Sequence, residues 1–180
     1  DHYRRLVEEG QKPRTLFIGC SDSRVVPGII TDSSPGDLFV VRNVGNIVPP
    51  FEADAGHHGV SAAIEYAVDI LGVRDIVVCG HSHCGAIRAL YEPPPEPPPN
   101  LSRWLELAAA ARIDEPVSES LLRRTERRSV VLQLDRLMDF GTVRSKVESG
   151  VVALHGWHYL IEEGAVHVLD VERREFVPHG

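Results

Sequence analysis

No apolar run among the 180 residues approaches the ~18–20 that a membrane-spanning helix requires. No basic stretch leads into an apolar one, so no secretory signal is read. Basic charge is in short supply as well: 19 Lys and Arg face 26 Asp and Glu, a formal net charge of −7. That balance excludes the basic footprint of a nucleic-acid surface. The pairs Arg123-Arg124 and Arg127-Arg128 alternate with acids at helical spacing, and read as a solvated helix face or a subunit contact. Cysteine is scarce and odd in number, at three. No disulfide framework follows from that, and a reducing compartment, cytoplasmic or enclosed within the cell, suits free thiols. A GxGxxG fingerprint is absent, which removes the usual dinucleotide site.

What is present is ordinary globular material, 43% apolar and 25% charged. Its length fits one domain over residues 1–180 with a full core. The chain begins at Asp1 rather than methionine, which reads as a fragment or processed form. Short apolar runs predict buried strands at 15–19, 38–41, 74–79 and 151–154, with a closing hairpin towards Val171. Helical spacing predicts helices at 1–9, 59–71, 86–90, 101–111, 121–137 and 142–148. The six prolines of 93–99 predict an exposed spacer within one domain. Strands alternating with helices mean an α/β fold with a mainly parallel sheet.

The chemistry-bearing stretch is Gly80-His81-Ser82-His83-Cys84-Gly85. A histidine and a cysteine three apart, where a strand gives way to a helix, make half of a metal site. Cys20 closes the run Leu16-Phe17-Ile18-Gly19 at another strand end. Ligands of open parallel sheets gather beyond such carboxyl ends. Two thiolates and one imidazole suit zinc, and three protein ligands leave the fourth tetrahedral position open, as in catalytic sites. Taken singly, the same residues read as small buried hydrophobes and a core histidine; their joint placement favours the metal. Cys79, inside its strand, reads as core, and His83 as turned away from the ion. Asp22 and Arg24 follow Cys20 in one polar loop. The aspartate is placed to accept a proton from zinc-bound water or to bind zinc itself, with the arginine holding it by a bidentate pair. A loop-ordering ion pair without a catalytic part fits the spacing equally well. Zn²⁺ with two thiolates is formally neutral, so an acceptor beside its water helps to form hydroxide, whose target is a small electrophilic carbon.

The motifs carry a resemblance. Cys20-Ser21-Asp22-Ser23-Arg24-Val25 and His81-Ser82-His83-Cys84-Gly85-Ala86 resemble the paired signatures of the β-class carbonic anhydrases of bacteria, cyanobacteria and plants. Pro35-Gly36-Asp37-Leu38-Phe39-Val40-Val41-Arg42-Asn43, Ile64-Glu65-Tyr66-Ala67-Val68 and Gly156-Trp157-His158-Tyr159 are also similar to family elements. The similarity runs from about Gln11 to Gly164. It implies Zn²⁺ on Cys20, His81 and Cys84, and reversible hydration of CO₂ to bicarbonate and a proton by zinc-bound hydroxide. Asp22 and Arg24 would be the catalytic dyad. The implied substrate pocket, built by two subunits of a homodimer or larger homo-oligomer, includes Gln11, Phe39, Val44, Tyr66 and Gly85. Gly45 and Ser82 resemble the constitutively open, plant-like subgroup, in which Asp22 stays off the metal. Departures are the near-absence of the family's leading helices, Leu160 in place of an aspartate, and the 93–99 spacer. The same scaffold suits hydrolysis of carbonyl sulfide or carbon disulfide. A non-catalytic bicarbonate-binding homologue would be expected to lose a ligand or the dyad, and all five residues are present.

Overall fold

The computed structural model describes residues 2–53 and 56–179. A six-stranded sheet in the order β2-β1-β3-β4-β5-β6 runs through them. β1 (Thr15–Cys20), β2 (Leu38–Asn43), β3 (Asp75–His81) and β4 (Ala153–Leu160) are parallel. β5 (Ala165–Asp170) and β6 (Glu175–Pro178) close the sheet antiparallel. The helices are α1 (His2–Glu9), α2 (Pro27–Ile30), α3 (Gly59–Glu65), α4 (Gly85–Ala89), α5 (Pro99–Glu106), α6 (Glu119–Leu137) and α7 (Gly141–Glu148). The α/β class and the mainly parallel sheet are those expected.

β1 and β3 are nearly continuous apolar runs because both of their faces are covered. On one face Leu16, Ile18, Ile76 and Val78 pack with Ile64, Val68, Val130, Leu137 and Phe140. On the other, Phe17, Val77 and Cys79 meet Leu38, Trp157 and Tyr159, so Cys79 is core as expected. From β1 the chain passes to β2 on one side, then crosses to β3 on the other. The connections therefore diverge between β1 and β3, and leave a crevice beyond their carboxyl ends.

α6 packs across β3 and β4 on one face of the sheet. Ser118 caps it, its hydroxyl oxygen accepting the Leu121 N–H at 3.1 Å. Two glycines let it approach: a Cβ at Gly80 would lie 2.7 Å from Val130 Cγ2, and one at Gly156 3.0 Å from Leu134 Cδ1. The helix thereby reaches the residues that flank His81.

Several elements differ from expectation for local reasons. The helix expected at 101–111 splits into α5 and a 3-10 turn at Ala109–Ala111. Pro99 opens α5, where its fixed φ is already helical, so the exposed proline stretch ends one residue early. The helix expected at 59–71 continues from α3 as a π-helical segment, Tyr66–Ile70. There Lys146 Nζ donates to the Val68 carbonyl at 2.5 Å. β4 runs past the expected 151–154 to take in Gly156-Trp157-His158-Tyr159, whose alternate residues Gly156, His158 and Leu160 are buried. β6 and α2 were not expected; both are four-residue elements, too short to show a period.

Gly80→Ala is expected to destabilise the protein by about 1–3 kcal/mol through overpacking against Val130. In denaturant titrations at fixed protein concentration, Gly80→Ala/Val130→Ala should cost less than the sum of the two single changes. Strict additivity would show that this contact is not close.

Candidate metal centre

Cys20 ends β1, His81 ends β3 and Cys84 precedes the first turn of α4. All three are buried, and their ligand atoms lie within 4.8 Å of one another. His81 donates from Nδ1 to the Ser82 carbonyl at 2.8 Å, which leaves Nε2 as the lone-pair nitrogen. That buried Nε2 has no hydrogen-bond partner. An orphaned imidazole nitrogen beside two sulfurs fits a borderline-soft cation such as Zn²⁺. The surroundings are apolar: Cys20 and Cys84 cluster with Ala86, Ile87, Leu105 and Leu122.

The sulfurs are electrostatically unequal. The Cys84 thiol, donating to Cys20, brings the Cys20 pKa down to about 4 against the opposing effect of burial. His81 and the amides of Asp22 and Gly45 add to the lowering. The same contact with Cys20, followed by burial, pushes Cys84 well up. Burial disfavours charge on His81, but the Cys20 sulfur, the Ser82 carbonyl and the Asp22 carboxylate together outweigh it and raise the imidazole's pKa overall. The Cys84 thiol thus keeps a proton that a cation would displace. Gly45 N–H reaches Cys20 Sγ at 3.4 Å. Only glycine serves there, since φ is +81° and a Cβ would meet Ala86 Cβ at 2.9 Å.

Asp22 and Arg24 form a bidentate pair beside these ligands. Arg24 Nε donates to Asp22 Oδ1 at 2.9 Å and Nη2 to Oδ2 at 2.8 Å. The Arg24 amide adds a bond to Oδ1 at 3.0 Å. This grip holds the Asp22 carboxyl far below the usual carboxylate range. Asp22 Oδ2 lies 3.9 Å from His81 Nε2. Arg42, named in the sequence only as part of a family-like stretch and given no role there, fixes the loop: Nε donates to the Cys20 carbonyl at 3.0 Å and Nη2 to the Asp22 carbonyl at 2.7 Å.

The five pocket residues divide. Gly85 follows Cys84, and a Cβ there would meet nothing within 4 Å. Val44 adjoins Gly45; its carbonyl accepts Trp104 Nε1–H at 2.7 Å, and its side chain borders an open groove of about 520 Å³ with Ser21, Asn43 and Trp104. Phe39 pairs in register with Leu16, four residues before Cys20 and so about 13 Å from the strand end. Tyr66 stands against Phe39, ring centroids 5.8 Å apart, and is exposed. Gln11 is exposed ahead of β1, at the opposite end of the sheet. One chain does not bring Gln11, Phe39 and Tyr66 to the cysteines.

The arginine pairs, read as a solvated helix face or a subunit contact, do not lie wholly on an outer face. Arg124 and Arg128 are exposed, whereas Arg123 and Arg127 turn inwards and Glu126 is 3% exposed. Glu126 Oε1 accepts the Cys84 N–H at 3.2 Å. Ser82 Oγ–H donates to Glu162 Oε2 at 2.5 Å, and that bond comes first in holding the Glu162 pKa down to about 2. The signal that could have found Glu126 was its i, i+3 and i, i+7 spacing with Ser129 and Gln133, a polar stripe on the inner face.

Comparison with known proteins agrees with this geometry. Residues 15–166 match the family model described as carbonic anhydrase. A carbonic anhydrase of Pseudomonas aeruginosa is 47% identical over 173 residues, covering 93% of this chain and 78% of that one. The solved structure of the β-carbonic anhydrase CcaA superposes with a TM-score of 0.92 at 41% identity, over 99% of this chain and 89% of that one. A structure from a study of two tetrameric β-carbonic anhydrases of the ascomycete Sordaria macrospora gives 0.81 at 31% identity, over 94% and 86%. With its sheet, its Cys-His-Cys cluster and these relatives in agreement, the chain belongs to the β-class family of carbonic anhydrase enzymes.

Proposed function

We propose that this chain, as a single catalytic domain, hydrates CO₂ reversibly to bicarbonate and a proton, with Zn²⁺ held by Cys20, His81 and Cys84. The observation that carries the reading is the orphaned His81 Nε2 beside two sulfurs, with the clamped Asp22 Oδ2 at 3.9 Å. When bound, zinc supplies the Lewis acidity that makes a water nucleophilic near neutral pH. The protein does the rest. Asp22 Oδ2 accepts the water's proton; its depressed pKa makes it a relay that cannot keep the proton. Arg24 keeps the carboxylate oriented, which supports the open form suggested by Gly45 and Ser82. Gly85 leaves space beside Cys84, and Val44 offers an apolar wall to a substrate with little to hydrogen-bond.

Phe39, Tyr66 and Gln11 complete the pocket from a second subunit, Gln11 donating to a substrate oxygen. Their distance from the cysteines within one chain supports this, as does the exposure of Val40 and Val44 at β2 and of Tyr66 and Ile70 on the π-helical segment. α1 likewise leaves Tyr3 and Val7 72% and 84% exposed, as a helix awaiting a second copy would. The Sordaria proteins described as tetrameric support a homo-oligomer. The cysteines are free, which suits a reducing compartment, and no helix among the described residues is long and apolar enough to cross a membrane.

Stopped-flow assay of CO₂ hydration tests the reading. Cys84→Ala and Asp22→Asn are expected to lose at least ~10²-fold in turnover, Cys84→Ala together with its zinc. Zinc-loaded, intact oligomer that hydrates no CO₂ would sink the proposal. Iodoacetamide at about pH 6 should alkylate Cys20 before Cys84 or Cys79 after zinc is stripped, because the thiolate is the reactive species. Burial pushes Cys79 up to about 12, so it should stay unmodified. Peptide mapping reads the order; zinc should protect Cys20, and indifference to zinc would contradict the ligand assignment.

A further inference from the structure

The peptide group joining His83 to Cys84 is gripped at both ends. Its carbonyl accepts Arg24 Nη2–H at 3.1 Å, and its N–H donates to Glu126 Oε1 at 3.2 Å. It therefore links the Asp22–Arg24 pair directly to the backbone of a proposed metal ligand. Its orientation is not the relaxed one. His83 has a φ of +56°, in the left-handed region that a residue with a Cβ disfavours. A turn from that region would swing the carbonyl off Arg24 and move the Cys84 sulfur.

Glu126 is built into the fold as the group that resists such a turn. It is 3% exposed on the inner face of α6. Its second oxygen accepts His158 Nε2–H at 3.0 Å and lies 3.5 Å from Arg123 Nη1. Burial lowers the His158 pKa, so the neutral ring is the donor. Arg123 continues outward, Nη2 donating to Glu162 Oε1 at 2.7 Å. Glu162 takes the Ser82 hydroxyl, and the Ser82 carbonyl takes His81 Nδ1–H. Both ligands of the 81–84 turn are thus tied to one arginine on α6, Cys84 through Glu126 and His81 through Glu162.

We propose that Glu126 is a positioning residue: its reach to the Cys84 amide sets the direction of the Cys84 sulfur and the carbonyl on which Arg24 rests. The inference rests on the zinc reading above. The rival role is cohesion only, a buried carboxylate paired with Arg123 and accepting from His158 between α6 and β4. Two small changes separate them. Glu126→Gln keeps the length and an acceptor for the amide but removes the charge. Glu126→Asp keeps the charge but withdraws the acceptor by one methylene.

Zinc affinity by competition with a chromophoric chelator, the sulfur-to-metal absorption of the Co²⁺ form and the melting temperature are measured on each full-length variant. Glu126→Gln is expected within ~3-fold of the parent, and Glu126→Asp ~10–100-fold weaker with an altered Co²⁺ spectrum. That order should hold whichever variant melts lower. Glu126→Asp binding zinc like the parent overturns the inference alone, as does a Glu126→Gln weaker than Glu126→Asp. If Glu126→Asp fails to fold, a Glu126→Gln loss beyond ~10-fold at unchanged melting overturns it too, while parent-like binding supports it. A parent protein that binds no zinc overturns the metal reading and this inference together.

Discussion

The Arg24 guanidinium is the interaction on which the site's geometry turns. It satisfies both oxygens of Asp22 and still reaches the His83 carbonyl. Asp22 lies two residues from Cys20, with an oxygen 3.9 Å from His81 Nε2. Left unpaired, a carboxylate at that distance is itself a ligand for a hard or borderline cation. Pairing it with a fork-shaped cation fixes its plane and lowers its proton affinity. In the proposed function Arg24 thus separates two roles that the same atoms could serve: occupying the fourth position of the zinc, or handling the proton of what binds there. Lysine would make a point contact and could not hold both oxygens and the carbonyl in one plane.

The clamp works because the sheet delivers its parts to one place. β1 and β3 are neighbours whose connections leave in opposite directions, so Cys20 and His81 flank the crevice between them. Gly80 lets α6 settle against β3, which brings Glu126 to the Cys84 amide. Core packing and ligand orientation are therefore mechanically joined: what moves α6 off Gly80 also moves an acceptor from beneath Cys84. The apolar cluster around the cysteines lowers the local dielectric and strengthens each of these polar contacts.

Much of this was legible in the sequence, for physical reasons. Cys20, His81 and Cys84 sit next to short apolar runs, and such runs end where parallel strands deliver ligands. Asp22 and Arg24 lie in one short loop, where a bidentate pair needs no long-range information. The boundaries of β4 and the existence of β6 were not legible, because β4 is buried only at alternate positions and β6 is a half-exposed edge strand, so neither carries a continuous apolar run. Glu126 escaped because an acid amid arginines on a helix has a solvated face as its usual setting. Only the tertiary approach of α6 to Cys84 turns it inwards. Phe39, Tyr66 and Gln11 came from resemblance, and within one chain they stand apart from the cysteines; the part proposed for them needs a second copy.

In the proposed site, Arg24 keeps Asp22 off the metal. A crystal structure of the zinc-loaded protein, grown at or above neutral pH, tests it most directly. Zinc is expected on Cys20, His81 and Cys84, with Asp22 still paired to Arg24 and a solvent oxygen in the fourth position. Asp22 coordinated to zinc, with Arg24 swung away, would contradict it.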